Sequence, residues 1–400
     1  MKIFISTGEV SGDLQGSLLI EALKRQATAA GMELEITALG GSRMAKAGAT
    51  LLGDTTGIGA VGILESVPYI WPTLQLQERA KQYLRSQPPA VVVLIDYMGP
   101  NISIGRYIRQ HLPKVPIIWY IAPQVWVWSP PWGDAEKIVA IASRVLAIFP
   151  EEARYFESKG AQVTWVGHPL VERMQAAPSR EAARVALGIE PQQRAIALLP
   201  ASRQQEIKYM MPVIFEAAER IQRQLPDVRF WIPLSREAYR RPIEQAVADY
   251  GLQATVYPSQ PHLAQEKLKE DRTLEILAAA DLAITKSGTV NLELALLNVP
   301  QLVVYRVNPF TFWLARKLLK FSIPFMSPVN LVQMKSIVPE WLQEQATATN
   351  IAAGAMEFLL NPERQQQTLT NYQVMREALG DAGACNRAAQ VILRAIEQNQ

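Results

Sequence analysis

Short apolar runs without polar alternation recur along this 400-residue chain, and they restrict its fold more than any other feature. A strand that is buried on both faces of a sheet is apolar throughout, whereas a strand with one face in water alternates. Amphipathic stretches separate the runs and indicate right-handed β-α-β units in parallel sheets. The sequence therefore predicts an α/β protein, with strands at Ile3–Ser6, Val91–Ile95, Ile117–Ile121, Val145–Phe149, Val163–Val166, Ala195–Leu199, Phe230–Ile232, Ala254–Tyr257, Leu282–Thr285 and Leu302–Tyr305.

The length of the chain predicts two domains, because 400 residues exceed what one hydrophobic core usually supports. A polar stretch, Gln175–Arg180, separates the first series of apolar runs from the second. We place one domain at residues 1–175 and another at residues 185–345. Each is expected to be a Rossmann-like parallel sheet, and the two are expected to face one another across a cleft. Residues 346–400 have the composition of helices, and such a segment can pack back on the first domain.

Charge and cysteine content exclude several classes of function. The formal charge is only +3, and the Lys and Arg residues are scattered, so no nucleic-acid footprint is present. A single cysteine, Cys385, excludes an internal disulfide and a cysteine-based metal cluster, and only His111, His168 and His262 offer imidazole. We expect no metal and no cofactor. No stretch approaches the ~20 apolar residues that span a bilayer, which predicts a cytoplasmic protein that is soluble or peripheral.

Two small, hydroxyl-bearing turns follow apolar runs and precede amphipathic stretches. One is Gly8–Asp13, and the other is Ser287–Thr289 with Glu293 close behind. Backbone N–H groups in such a turn can face an anion, so the pair predicts two phosphate-bearing substrates. The alternative for the second turn is a simple helix cap by Ser287 or Thr289, with Glu293 as a solvated helix residue.

Several short segments follow one another in a fixed order along the chain. They are Gly8–Asp13, Ala60–Glu65, Pro123–Trp128, Gly167–Pro169, Leu198–Arg203 and Ser287–Thr289, with Tyr305-Arg306 and Pro309–Ala315 in addition. Their order and spacing resemble those of the lipid-A-disaccharide synthase family, from residue 3 to about residue 345. The similarity implies a GT-B fold and an inverting transfer without metal. In that reaction 2,3-diacylglucosamine passes from its UDP derivative to 2,3-diacylglucosamine 1-phosphate, which forms a β-1,6 bond and releases UDP.

The resemblance also implies roles for individual residues. Asp96, which closes the run Val91–Ile95, matches the general base, and partial desolvation at the end of a buried strand would raise the pKa of its carboxyl. The alternative is an Asp that caps a turn. The family usually continues Asp-x-Pro-x-Phe-Asn, whereas here the Pro is displaced to Pro100 and the Phe is absent, so the loop differs. Acceptor-side residues would be Gly8, Glu9, Ser11, Gly12, Asp13, Glu65 and Asn101.

The donor side falls in the second domain. Arg203 follows the strand Ala195–Leu199 and can give a forked contact to phosphate, although a lone arginine is more often a solvated surface residue. The side chain of Glu293 could accept hydrogen bonds from ribose hydroxyls. The resemblance implies a UDP-binding set of Arg203, Glu206, Ser287, Gly288, Thr289, Glu293, Asn330 and Gln333.

Two stretches, Val61–Trp71 and Phe310–Phe325, combine aromatic bulk with apolar or basic residues as interfacial helices do, although an aromatic core helix is the alternative for each. They predict contact with the cytoplasmic face of the inner membrane through Trp71, Phe312, Trp313, Arg316, Lys317 and Lys320. The lipid donor and acceptor are the expected partners, and self-association is possible. Two other functions stay open: a catalytically silent lipid- or nucleotide-sugar-binding relative, and a UDP-sugar epimerase on the same fold.

Overall fold

The computed structural model describes residues 1–56, 63–128, 133–257, 272–309, 312–313 and 323–398. The chain divides into two compact units, which we call the first and second unit. The first consists of Met1–Glu172 with Leu379–Gln400, and the second of Arg173–Ala378. Each is built on a parallel sheet with helices, which confirms the predicted α/β class. The predicted helical segment 346–400 is divided between the two units.

The sheet of the first unit has seven strands in the order β3-β2-β1-β4-β5-β6-β7, all parallel. The strands are β1 Lys2–Ser6, β2 Glu35–Gly40, β3 Thr50–Asp54, β4 Val91–Ile95, β5 Ile117–Tyr120, β6 Arg144–Ala147 and β7 Val163–Trp165. The helices are α1 Glu9–Ala29, α2 Ser42–Lys46, α3 Ile63–Ser86, α4 Met98–His111, α5 Asp134–Ile141 and α6 Pro150–Ser158, and α7 Leu170–Gln175 leads into the second unit.

The sheet of the second unit has six parallel strands in the order β10-β9-β8-β11-β12-β13. They are β8 Arg194–Leu199, β9 Val228–Pro233, β10 Ala254–Tyr257, β11 Leu282–Lys286, β12 Gln301–Tyr305 and β13 Glu340–Leu342. The helices are α8 Arg180–Leu187, α9 Gln204–Tyr209, α10 Met211–Gln224, α11 Arg240–Asp249, α12 Thr273–Ala279, α13 Val290–Leu296, α14 Pro328–Gln333, α15 Ala348–Leu360 and α16 Pro362–Ala378.

Strand order reverses once in each sheet, between β1 and β4 and between β8 and β11. From β1 the chain moves outward through β2 and β3, and it then returns to the other side of β1 as β4. The connections on either side of the reversal go to opposite faces, so they leave a crevice at the carboxyl ends of the two strands. The loops at these crevices begin at Thr7 and Asp96 in the first unit, and at Pro200 and Ser287 in the second.

Burial in the cores explains why the apolar runs predicted most of the strands. Every residue of β4 is buried, as are the central residues of β1, β8 and β11, because helices cover both faces of each sheet. Three strands had no such signal. Strands β3 and β13 lie at sheet edges and are only half-buried, while Glu35, Thr37 and Gly40 interrupt the apolar character of β2.

The last helix, α17 Ala384–Glu397, belongs to the first unit and packs against α1. Arg387 fixes its start by donating to three carbonyl oxygens, those of Val166 at 2.8 Å, Ala382 at 2.8 Å and Asp381 at 2.7 Å. At the start of the same helix, the Tyr120 hydroxyl lies 3.8 Å from the Cys385 thiol. None of the helices in the described parts of the chain combines the length and apolar composition that a bilayer crossing requires.

Replacing Arg387 by alanine should loosen α17 selectively. A hydrogen bond to a charged group contributes about 1.5–3 kcal/mol, so amides of α17 should exchange with solvent roughly 10- to 100-fold faster in Arg387→Ala than in the wild type. Hydrogen exchange followed by mass spectrometry measures this. Arg394→Ala, at an exposed site of the same helix, is the matched control. Equal protection of α17 in the two variants would show that the Arg387 bonds do not hold the helix.

Candidate functional site

The glycines after β1 allow close packing where the chain passes from β1 to α1 within two residues. Gly8 is extended, with φ −128° and ψ 169°, and α1 begins at the next residue. A Cβ at Gly8 would lie 2.3 Å from the ring of Tyr97, and one at Gly12 would lie 1.9 Å from the Thr7 hydroxyl oxygen. Neither glycine has a positive φ. The turn after β1 therefore packs directly against the loop after β4.

Other predicted acceptor-side residues lie on α1 or on α3. The buried Asp13 carboxylate accepts hydrogen bonds from the backbone N–H groups of Gly41, Met44 and Arg43, at 2.9, 3.0 and 3.1 Å. It thereby anchors the loop between β2 and α2. Ser11 is half-buried. The side chains of Glu9 and Glu65 lie outside the described residues, so their predicted roles stay predictions.

Asp96 follows β4 in an unusual backbone conformation. Asp96 and Tyr97 have φ values of 46° and 50°, which places two consecutive non-glycine residues in the left-handed region. Such conformations cost on the order of 1 kcal/mol each and persist only where the surroundings fix them. Asp96 is exposed, because β4 ends at Ile95 and the left-handed turn follows at once, and the expected raised pKa of its carboxyl stays a prediction.

Asn101 supplies the bonds that fix this loop. Its buried side-chain amide donates to the carbonyl oxygens of Asp96 at 2.8 Å and Ile95 at 3.1 Å, and it lies 3.3 Å from that of Ser6. Its side-chain oxygen accepts from the Ser6 hydroxyl at 2.7 Å. Asn101 thus ties the ends of β1 and β4 together beneath Asp96. The structure supports a positioning role for Asn101, and its predicted contact with substrate stays a prediction.

The residue that sequence reasoning missed here is Glu152, on α6. Its buried carboxylate accepts from the N–H groups of Ala122, Ile148 and Phe149, at 2.9, 2.8 and 3.2 Å, so it joins the loops after β5 and β6. Burial raises its pKa to about 7 against the opposing effect of these bonds, and the charge of Asp96 raises it further. A sequence signal existed, because Pro150 followed by a Glu at the third helical position marks a helix start.

In the second unit, Arg203 and Glu206 lie at the crevice beside β8. Glu206 is buried on α9, and its carboxylate accepts from the N–H groups of Ser202 and Arg203, the latter at 3.0 Å. Lys286 at the end of β11 faces it, with Nζ 3.9 Å from Oε1. Burial raises the pKa of the Tyr305 hydroxyl, Arg203 opposes this shift and Glu206 adds to it. These groups therefore form one cluster where β8, β11 and β12 end.

A series of hydrogen bonds between buried side-chain amides fixes the turn after β11. The N–H of Gly288 donates to the Asn291 side chain at 2.8 Å, and Asn291 in turn donates to Gln301 at 2.9 Å. Gln301 also donates to the Tyr372 hydroxyl, at 3.3 Å. The Ser287 hydroxyl donates to the carbonyl of Met326 at 2.6 Å. Thr289 is the N-cap residue of α13 but makes no side-chain capping bond.

Three predicted donor-side residues remain. Glu293 is buried on α13 and forms an ion pair with Arg173. Asn330 is fully buried: its amide donates to Val338 O and the Glu340 carboxylate, and its oxygen accepts from two backbone N–H groups. Gln333 is half-buried at the end of α14. The contacts of Asn330 are those of a structural amide that ties α14 to the segment between α14 and β13.

The predicted membrane-facing residues are only partly described. Trp71 is 69% exposed on α3, and Tyr69, Ile70 and Leu74 are exposed beside it. Trp313 is exposed and Phe312 is half-buried, whereas Arg316, Lys317 and Lys320 lie outside the described residues. Within the described ranges, no three acidic, histidine or cysteine side chains come together as a metal site would require.

Comparison with known proteins gives consistent matches over the whole chain. Residues 3–395 match the family described as lipid-A-disaccharide synthetase. A relative named lipid-A-disaccharide synthase from Gloeothece citriformis is 57% identical over 393 residues, which cover 98% of this chain and 99% of the relative. A relative of the same name from Geobacter sulfurreducens is 33% identical over 396 residues, which cover 99% of this chain and 97% of the relative.

Two solved structures show the fold. A UDP-GlcNAc 2-epimerase from Neisseria meningitidis, bound to UDP-GlcNAc, has a TM-score of 0.57 at 12% identity and covers all of both chains. MurG from Acinetobacter baumannii has a TM-score of 0.55 at 13% identity, covering 98% of this chain and 99% of its own. Together with the two parallel-sheet units, these likenesses confirm the predicted GT-B fold class.

Glu152 generates a prediction about pH. Its folded pKa of about 7 lies above the ordinary 4.5, so folding favours the protonated carboxyl. The resulting stability is complete below pH 4.5 and is lost as pH rises through 7, by at most about 1.4 kcal/mol per pH unit. Between about pH 5 and pH 8 the unfolding temperature of the wild type should therefore fall relative to that of Glu152→Gln.

His168 changes the stability of the fold in the opposite direction. Burial lowers its pKa to about 3, so its contribution to stability is lost as pH falls below 6.5. Both proteins retain His168, so the difference between their thermal unfolding curves isolates Glu152. Parallel pH profiles for the two proteins would contradict the shifted pKa.

Proposed function

The chain belongs to the lipid-A-disaccharide synthase family of glycosyltransferases, and on that premise we propose its substrates and mechanism. The donor is UDP-2,3-diacylglucosamine, and the acceptor is 2,3-diacylglucosamine 1-phosphate. The products are the β-1,6-linked disaccharide 1-phosphate and UDP, with inversion at the anomeric carbon. The observation that carries the proposal is the match over residues 3–395, together with the position of candidate residues at the strand-order reversal of each sheet.

Asp96 acts as the general base. Its carboxylate accepts the proton of the acceptor's 6-hydroxyl as that oxygen bonds to the anomeric carbon of the donor. The bond from this carbon to the β-phosphate breaks, and its electron pair stays on UDP. The exposure of Asp96 and the fixed backbone beneath it support this role, because a base must reach substrate in a defined geometry. Asn101 and Glu152 position the loops around it.

The donor nucleotide is bound by the cluster in the second unit. Arg203 contacts the diphosphate, the turn Ser287–Thr289 lies against it, and Glu293 accepts hydrogen bonds from ribose. Support comes from the position of Arg203 after β8 and of the turn after β11, on either side of the crevice. The buried position of Glu293 and its ion pair with Arg173 hold the carboxylate on α13, beside the turn. Asn330 contributes by fixing the segment after α14, and Gln333 at the end of α14 completes the set.

The acyl chains of both substrates require an apolar surface, and the exposed side chains at the start of α3 offer one. Trp71 and Ile70 are large, apolar and exposed, as in helices that lie in a membrane interface. We place the enzyme on the cytoplasmic face of the inner membrane, where its lipid substrates would be met. The epimerase alternative has support from fold likeness alone, at 12% identity.

Asp96→Asn should nearly abolish turnover, because the amide keeps the volume but cannot accept the proton. Loss of a general base typically costs ~10²–10⁴-fold in rate. Disaccharide formation from the two purified lipid substrates measures it. Asp54→Asn is the matched control, since Asp54 also ends a strand of the same sheet and is exposed. Activity above about a tenth of wild type in Asp96→Asn would reject the assignment.

Membrane contact through α3 can be tested with vesicles that contain anionic phospholipid. Burying roughly 100 Å² of Trp71 and Ile70 would supply about 2.5 kcal/mol, so a Trp71→Ser, Ile70→Ser double variant should bind at least tenfold more weakly in a sedimentation assay. Because the burial of these side chains is an apolar contribution, the difference in vesicle binding between the wild type and the double variant should persist at high salt. Val185→Ser, at an 82% exposed site on α8, is the control. Equal binding by the two variants would remove α3 from the interface.

A further inference from the structure

Lys286 is a charged residue in the donor cluster that the sequence analysis did not select. It is the last residue of β11, a central strand that pairs with β8 on one side and β12 on the other. Its side chain is only 14% exposed. Because burying an ammonium group costs free energy unless nearby groups compensate, a lysine at this depth requires a local explanation.

The ammonium group lies over the turn that follows β11. Lys286 Nζ is 3.3 Å from the carbonyl oxygen of Ser287. A Cβ added to Gly288 would lie 2.9 Å from the same nitrogen. Gly288 does not have a positive φ, so glycine is not required there by backbone conformation. The absence of a side chain at Gly288 instead leaves room for the Lys286 ammonium directly above the turn.

A carboxylate lies across the crevice from Lys286. Glu206 Oε1 is 3.9 Å from Nζ, which is an ion pair beyond hydrogen-bond distance. The Glu206 carboxylate also accepts from the N–H groups of Ser202 and Arg203. Glu206 and Arg203 both act on the Tyr305 hydroxyl at the end of β12. The Lys286 ammonium therefore lies directly over the turn, where a cation suits an anionic ligand.

The backbone of Lys286 is held in the same way as that of Asp96. Asn291 donates to the carbonyl of Lys286 at 3.2 Å, and Asn101 donates to that of Asp96 at 2.8 Å. In each unit the asparagine stands five residues after the residue that it fixes, on the helix that follows the strand beside the reversal. The two units therefore fix corresponding strand-end positions, one with a carboxylate and one with an ammonium.

We propose that Lys286 is a further donor-binding residue, whose ammonium contacts the diphosphate of UDP beside Arg203. This inference rests on the proposed function. As the bond between the anomeric carbon and the β-phosphate oxygen breaks, its electron pair stays on that oxygen. Lys286 stabilises the negative charge that develops there, because an opposite charge in a partly buried site is weakly screened. Glu206 holds the ammonium at the turn before the nucleotide binds.

The test compares two ligands that differ in the diphosphate. In Lys286→Met, which keeps an unbranched side chain without its charge, affinity for UDP should fall about 10- to 100-fold, as expected for loss of a bond between charged groups. Affinity for uridine should change less than about twofold, because the nucleoside carries no phosphate. Titration calorimetry with UDP and ligand-observed NMR with uridine measure the two. Equal losses for both ligands would overturn the proposal, since they would indicate a structural role.

Two controls separate this inference from the proposed function. If the wild type does not bind UDP, the proposed function fails. If Arg203→Ala weakens UDP binding while Lys286→Met does not, the donor site stands and the assignment of Lys286 is overturned. Should Lys286→Met fold poorly because Glu206 is left without its cation, the comparison is made on Lys286→Met with Glu206→Gln against Glu206→Gln alone. Equal UDP affinity in that pair overturns the proposal as well.

Discussion

The reversal of strand order in each parallel sheet is the constraint on which the rest of this structure depends. All strands of a parallel sheet end at the same edge, but only at the reversal do the following connections diverge and leave a crevice. Asp96 follows one of the two strands at the first reversal, and Gly8 and Asp13 follow the other. At the second reversal the strands are followed by Arg203 and by Lys286 with its turn. The strand order of each sheet thus determines where the candidate functional residues of that unit lie.

Buried amides make these loop positions rigid. A left-handed residue is unfavourable for any side chain with a Cβ, and Asp96 and Tyr97 adopt that conformation consecutively. Asn101 offsets the cost by bonding to both strand ends at once. In the second unit Asn291 and Gln301 connect the turn to α16 through Tyr372. An amide can do this because it donates and accepts at one buried site.

Backbone N–H groups hold two buried carboxylates, Glu152 and Glu206. Glu152 is held by three N–H groups, and Glu206 is held by two and faces Lys286. A buried carboxylate is tolerated when N–H dipoles surround it, and it then ties separate loops together. Glu152 does so for the loops after β5 and β6, close enough to Asp96 for each charge to affect the other. The same groups that stabilise the loops therefore set the electrostatic environment of the proposed chemistry.

The sequence by itself determined the α/β class, ten of the thirteen strands found among the described residues, and the strand-end positions of Asp96 and of the turn at Ser287. It could do so because burial on both faces leaves a local apolar signature. Tertiary structure alone decided the edge strands β3 and β13, the exposure of Asp96, the division of the C-terminal helices between the two units, and the contacts of Glu152 and Lys286. Glu152 bonds to Ala122, 30 residues away, and Lys286 faces Glu206 across two strand ends. Contacts between distant parts of a chain leave no periodic pattern in it, since they form only once the sheet has brought those parts together.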